Sequence, residues 1–318
     1  MIEQNLIDNI FINPLKKGAD ELCILSGYAT PNMASLLMKS IPEKVSHDVN
    51  INLIVGMTSY DGINISAHNE FKLLHDKPFG KRVKNFSCSY VCDGLPVHSN
   101  LYIWTKNSVP QIAFTGSADF VQPAFLAHRK EIMTECNADR AYEIYLDTVR
   151  NSIYCNHNEV EDSIVIHKDK WLDETVEQLT VLKGECVNYM KLSLLTNKNE
   201  TGKSSGLNWG HRKALRRNKN EAYIPVPSEV IRTGFFPLDK HFTVITDDKH
   251  FLILRTEQQG HKALTTPASN AQLGEYFRNR LKLPNGTFIE KCHLDNYGRT
   301  DVDFYKIDDE HFYMDFHV

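Results

Sequence analysis

The chain has 318 residues, 42% hydrophobic and 24% charged, with 36 Lys and Arg against 40 Asp and Glu for a formal net charge of −4. That composition excludes a disordered chain, and the length exceeds the roughly 100 to 200 residues usual for one domain, so two domains are expected. The opening run MIEQNLIDNIFINPL carries early acids, and no segment approaches about 18 uninterrupted apolar residues, so neither signal peptide, membrane span nor membrane partner is expected, and the location expected is cytoplasmic.

In chain order, ELCILSGYAT and NINLIVGM each read as a short buried strand ending in a small-residue turn. PNMASLLMKSI between them has helical apolar spacing, which makes a βαβ unit. FSCSYVCD, HSNLYIWTK, QIAFTGSADF and EIMTEC read as further strands, and DRAYEIYLDTVRNSIY as a helix. Strands alternating with helices predict an α/β layered domain over residues 1–165. The stretch DKWLDETVEQLTVLKGECVNYMKLSLL reads as strand and helix pieces of a connecting region, 166–200. The seven cysteines, spread along the chain without paired metal-site spacing, read as reduced thiols with no structural zinc.

From 201 to 318 the pattern changes to short strands: AYIPVP, HFTVITD, KHFLILRTEQ, GTFIEKCHL, DVDFYKID and HFYMDF, with helical periodicity only in NAQLGEYFRNRL. Many short strands around one helix predict a barrel-like, mainly-β domain. The acidic average hides a basic patch, GKSSGLNWGHRKALRRNK, which holds Lys203, Arg212, Lys213, Arg216, Arg217 and Lys219 and no acid. Ser205, Asn208 and Trp209 lie among them, types that reach phosphates and base edges; a solvated basic loop is the competing reading.

In HSNLYIWTKNSVPQIAFTGSADF, period-2 alternation puts His98, Asn100, Tyr102 and Trp104 on one strand face. Alone, such a histidine is most simply a structural residue. Gly116-Ser117-Ala118-Asp119, however, ends the next strand in a turn able to aim backbone N–H groups at a phosphate.

The order His98, Asn100, Ser117, Asp119, Glu131 resembles the phospholipase-D-like pattern of His-x-Lys, Gly-Ser-x-Asn and a later glutamate. The resemblance implies metal-independent phosphodiester cleavage with histidine as nucleophile, and, with one motif per chain, a homodimeric site. SSGLNWGHR, NEAYIPVPSEV, LGEYFRNRLKLPNGTFI and YGRTDVDFYKID resemble the B3-like DNA-binding domain fused to such nucleases in restriction endonucleases of the NgoFVII type. The implied architecture is an α/β phospholipase-D-like domain followed by a mainly-β B3-like pseudobarrel, and the implied partner is double-stranded DNA. Candidate DNA-binding residues are Ser205, Asn208, Trp209, Arg212, Arg216, Arg217, Arg255, Tyr297, Arg299 and Asp301. Arg212 and Arg299 suit guanine, Asn208 adenine and Asp301 cytosine; phosphate contact or plain surface is the alternative for each.

Two positions depart from the family pattern: Asn100 stands where lysine is found, and Asp119 where asparagine is found. Each makes the site more negative by one charge, and a phosphate about 4 Å from a unit charge feels around 4 kcal/mol at an effective dielectric of 20. Three readings stay open: Lys106, Arg129 or Lys130 compensates, Lys106 by strand parity; Asp119 orients His98 and supports its basicity; or cleavage is impaired. Glu131 fits the family's later glutamate, with Glu135 as the alternative. No cofactor is expected; the alternative is Mg²⁺ held by Asp119, Glu131 and His98. The function expected is site-specific restriction of DNA, with a DNA-binding protein of impaired nuclease activity as the other reading and lipid hydrolysis disfavoured. A separate ATP-dependent translocase subunit is a possible partner, since the chain has no Gly-x-x-x-x-Gly-Lys-Ser/Thr loop of its own.

Overall fold

A computed structural model describes residues 1–46, 48–76, 83–168, 189–212 and 217–318. The chain forms two compact units, Met1–Lys170 and Trp171–Val318. In the first, strands β1 (Glu21–Ser26), β2 (Asn50–Val55), β4 (Asn85–Val91), β5 (Leu101–Lys106), β6 (Val109–Gly116), β7 (Met133–Cys136) and β8 (Ser152–Tyr154) make one sheet in the order β7-β6-β5-β1-β2-β4-β8. The centre, β1, β2 and β4, is parallel; β5, β6, β7 and β8 join antiparallel at the edges. A two-residue pair, β3 (Ile63–Asn64) with β9 (Ile166–His167), lies apart.

The βαβ reading holds: β1 and β2 are parallel neighbours joined through the helix Pro31–Ser40, whose N-cap Thr30 accepts the Met33 N–H. β1 is a nearly unbroken apolar run because both of its faces are covered, as central parallel strands require. On one face Cys23, Leu25, Ile54, Leu101 and Ile103 pack with Ala141 and Tyr145 of the helix Ala138–Val149. On the other, Tyr102 packs edge-on to Phe11 and Phe125, and the Trp104 indole donates to the Ile10 carbonyl at 2.7 Å.

In the second unit, β10 (Tyr189–Ser193), β11 (Ile224–Pro225), β12 (Phe242–Thr246), β13 (Phe251–Glu257), β14 (Ala263–Thr265), β15 (Asp301–Lys306) and β16 (His311–Asp315) follow the order β10-β15-β16-β12-β13-β14-β11. All pairs are antiparallel except β12 with β16, and the edge strands β10 and β11 lie close together, so the sheet curls into a nearly closed barrel. Its core gathers Leu192, Ile224, Phe236, Phe242, Phe277, Phe304 and Phe312. Arg278 is also fully buried there; it donates to the carbonyls of Gly274, Thr287, Lys219 and Leu207 and so ties the loops to the helix Asn270–Arg280.

Two expectations change, for GTFIEKCHL and for His98. GTFIEKCHL is not a strand: Lys291–Tyr297 is a helix, started by a capping box between Glu290 and His293 and stopped by Gly298 at φ 99°. Local capping outweighs the alternating apolar pattern there. The stretch 166–200 contains two paired strands, β9 and β10, while the pieces expected over 169–188 lie outside the described residues, as do Lys213 and Arg216. His98 sits not on the strand but in the extended segment that leads into β5.

Candidate active site and nucleic-acid interface

His98, Asn100, Ser117 and Asp119 gather around the end of β1, the side of a parallel sheet on which ligands usually bind. β1 and β2 each finish in a glycine that the next segment needs. A Cβ on Gly27 would lie 2.4 Å from His98 Cδ2, and one on Gly56 would lie 2.0 Å from the Val97 carbonyl oxygen. Without those side chains, Val97 and His98 run directly across the strand ends, held by the Val97 N–H on the Gly56 carbonyl at 3.0 Å.

The His98 side chain is 60% exposed, and its Nε2 lies 4.0 Å from Asp119 Oδ1. That oxygen is buried and accepts no hydrogen bond among the described residues. The imidazole also meets the Tyr28 ring edge-on, centroids 5.3 Å apart at 78°. The Tyr28 hydroxyl donates to Asp61 Oδ2 at 2.6 Å, and this bond is the main reason the phenol pKa is raised above its ordinary value.

Asn100 is buried and committed. Ser26 Oγ donates to its Oδ1 at 2.8 Å, and its Nδ2 donates to the carbonyls of Gly116 and Ser117, both at 3.4 Å. At the position where the family pattern has a cation, this chain has a neutral clamp that joins the end of β1 to the end of β6. Ser117 Oγ in turn makes a short bond to Glu131 Oε2 and accepts the Ile132 N–H at 3.0 Å, which ties the turn to the loop before β7. Glu131, rather than the exposed Glu135 of β7, is therefore the glutamate beside the motif.

Lys106 does not reach this site. Strand parity suggested that it shared a face with His98, but parity gives no distance, and a bulge at Trp104/Thr105 shifts the register. Lys106 lies beside Gly18, before β1 begins, whereas His98 lies beside Gly27, after β1 ends. Eight residues at about 3.3 Å each put it roughly 26 Å along the chain from His98. Arg129 and Lys130 are exposed on the loop that carries Glu131. Among the described residues no three His, Cys, Asp or Glu side chains converge as metal ligands: Asp119 faces His98, while Glu131 turns to Ser117.

In the second unit the DNA-binding candidates divide by what already occupies them. Arg212 is exposed, as are Lys203 and Lys219, and Ser205 is half-buried at the start of the turn Gly206–His211. Trp209 packs edge-on to Tyr223, with the Arg217 guanidinium 4.2 Å over its ring and bonded to Glu221 at 2.6 Å. Asn208 cannot read adenine: it is fully buried, donates to the carbonyls of Gly202 and Ile289, and accepts the Ile289 N–H. Tyr297 is likewise spent, stacked on Phe316, with its hydroxyl donating to the Phe316 carbonyl and accepting from Arg280. Arg255 is paired with Glu257.

Arg299 and Asp301 do not present two separate base-reading groups, because they bond each other at 3.2 Å. Arg299 also pairs with Asp303 at 2.6 Å and Asp315 at 3.4 Å, and Lys191 lies 3.4 Å from Asp301. Burial alone would lower the Arg299 pKa, but the surrounding carboxylates, led by Asp303, outweigh it and raise the value. These residues line an open pocket of about 610 Å³.

Gly27, Tyr28 and Asp61 are the site residues that the motif does not contain. The only sign of them in the sequence is the small-residue turn that closes each parallel strand.

Residues 4–162 match the model of the NgoFVII restriction endonuclease N-terminal PLD domain, and residues 182–308 match that of the NgoFVII C-terminal B3-like DNA-binding domain. No curated protein matches the chain. Among solved structures, a polyphosphate kinase from Porphyromonas gingivalis is similar over 57% of this chain at 14% identity, with a TM-score of 0.31. The chain spans 26% of that protein's length.

Proposed function

Because the chain belongs to the NgoFVII restriction endonuclease family, we propose that it is a site-specific endonuclease that cuts double-stranded DNA in a homodimeric site by way of a phosphohistidine. The observation that carries this reading is the placement of His98: exposed, laid over Gly27, edge-on to Tyr28 and 4.0 Å from Asp119. In the proposed reaction a His98 nitrogen attacks phosphorus, an N–P bond forms and the P–O bond to the leaving strand breaks. His98 of the partner subunit protonates the departing oxygen, and water then displaces the histidine and releases the 5′- or 3′-phosphate. On substrate binding the Ser117 hydroxyl turns from Glu131 to a non-bridging oxygen, and Arg129 and Lys130 supply the positive charge that Asn100 does not.

Incubating the protein with a mixed-sequence plasmid in EDTA, and separately in Mg²⁺, with His98→Ala in both, tests this. Discrete fragments in EDTA that vanish in the variant are expected. Cutting only with Mg²⁺ would replace phosphohistidine chemistry with metal-assisted hydrolysis.

A second reading has its own observation. With Asn100 buried as a neutral clamp and Asp119 adding negative charge, the chain also suits a sequence-specific DNA-binding protein with an impaired nuclease unit. No cutting in either buffer, with selective retention of one DNA fragment, is its signature.

A further inference from the structure

His98 leans on few neighbours. Its side chain is mostly exposed, the Asp119 carboxylate stands 4.0 Å from it, and the surface beneath it is the Gly27 backbone. A ring so loosely held samples several rotamers, and a nucleophile a fraction of an ångström out of line loses much of its rate. Among the described residues its ring contact is Tyr28, whose own position is fixed at both ends. Its carbonyl accepts the Phe120 N–H at 3.1 Å and lies 2.7 Å from Ser26 Oγ, sharing that hydroxyl's one proton with Asn100 Oδ1. Its hydroxyl is held by Asp61, and Asp61 belongs to the short helix Thr58–Asp61, where Thr58 Oγ1 donates to the carbonyls of Val55 and Val91 at the ends of β2 and β4. Tyr28 thus bridges from the residue beside Asp119 to the far side of the parallel strands, and its ring stands against the imidazole on the way.

Building on the nuclease reading, we infer that Tyr28, anchored through its hydroxyl to Asp61, is the positioning residue that sets the angle of the His98 ring for attack. The contact is edge-on, a geometry aromatic pairs favour, so it restrains ring orientation without consuming a ring nitrogen. The Asp61 carboxylate makes the tyrosine a fixed post, since a phenol bonded to a carboxylate forms a short, charge-assisted hydrogen bond. Tyr28 touches no reacting atom in this scheme and acts only through His98.

The test combines kinetics with a readout that needs no cutting. Tyr28→Phe keeps the ring and loses the anchor, Tyr28→Ala loses both, and Asp61→Asn weakens the anchor alone; thermal unfolding checks that each variant is folded. In histidine-labelled protein, with His98→Ala assigning the signal, Tyr28→Ala is expected to shift the His98 ring resonances by removing the tyrosine ring current. Tyr28→Phe and Asp61→Asn are expected to broaden them. In EDTA cleavage, Tyr28→Ala is expected to lower kcat by about 10- to 100-fold with KM nearly unchanged. Tyr28→Phe and Asp61→Asn should fall between, and their combination should be no worse than either alone. His98 signals and kcat unmoved in all three folded variants would overturn the inference. A wild-type protein that never cuts overturns the nuclease reading instead, and the His98 resonances still decide whether Tyr28 orients the ring.

Discussion

His98 Nε2 faces Asp119 Oδ1 at 4.0 Å, across too long a gap for a hydrogen bond, and that oxygen is buried with no other partner among the described residues. A buried carboxylate oxygen without a donor is costly, so the pair is poised for contact when the imidazole is protonated or moves toward phosphorus. The same charge opposes an incoming phosphate. Asp119→Asn therefore has two expected effects in steady-state cleavage. KM falls about tenfold, because one negative charge per subunit is gone, and kcat also falls about tenfold, because the imidazole loses its charged brace. A rise in kcat instead would make Asp119 purely an impediment.

Gly27→Ala tests the glycine floor of the site. The added methyl would overlap His98 Cδ2, whose ring can swing away, and would lie 3.3 Å from the His98 Cα, where the backbone must yield by a few tenths of an ångström. The expected result is a folded protein with an unfolding midpoint close to wild type and cleavage reduced about 100-fold by the displaced ring. Wild-type cleavage would show that the His98 ring orientation seen here is not the reactive one.

Asn100→Lys restores the family residue, yet it is not expected to restore a cation to the site. The side chain would enter a buried position shaped by the Ser26 hydroxyl and the carbonyls of Gly116 and Ser117, none of which carries a charge to pair with an ammonium. A loss of about 2 to 4 kcal/mol in urea denaturation, with no gain in cleavage, is expected. Charge reversal of Arg129 and Lys130, by contrast, should weaken DNA cleavage while leaving stability unchanged.

The strands and helix around β1 and β2, the approach of Asp119 to His98 and the bond between Ser117 and Glu131 were legible because each depends on short-range pattern: apolar runs, small-residue turns and motif spacing. Tyr28 with Asp61 was not, since the two are 33 residues apart and meet only because parallel strands place their carboxyl ends side by side. Lys106 was misplaced because period-2 alternation assigns a face but no distance. Asn208 and Arg299 read as base contacts by residue type; nothing in their neighbourhoods shows that Ile289 and Asp303, remote or nearby in the chain, already use them.

His68 predicts the acid limit of the first unit. It is buried, its Nδ1 bonds the Tyr90 hydroxyl at 3.2 Å, and its Nε2 has no partner among the described residues. Burial, with Lys72 adding to it and Glu161 opposing, pushes its pKa down to about 4. A depressed histidine is neutral in both states above the unfolded value near 6.5, so it costs nothing there. Between about pH 6.5 and pH 4 the unfolded chain takes up the proton and the folded one does not, so stability falls by up to roughly 3 kcal/mol. In urea titrations over that window, His68→Gln should flatten the slope; an unchanged slope would assign the acid sensitivity elsewhere.

Binding by the second unit separates groups free to meet DNA from groups spent on the fold. Lys203 and Arg212 are exposed, and each phosphate they neutralise adds about 0.9 to the slope of log affinity against log salt. Lys203→Ala and Arg212→Ala should each lower that slope by up to about one, with the unfolding midpoint unchanged. Arg299→Ala should behave differently, because it takes the guanidinium away from buried Asp303, leaving it the Tyr189 hydroxyl and Lys191, and from Asp301 and Asp315 as well. Breaking such a network from one side costs about 3 to 5 kcal/mol, so any loss of DNA binding should track a lowered unfolding midpoint. An Arg299→Ala protein of wild-type stability that loses preference at one base pair would mean that Arg299 leaves its aspartates on DNA and reads sequence directly.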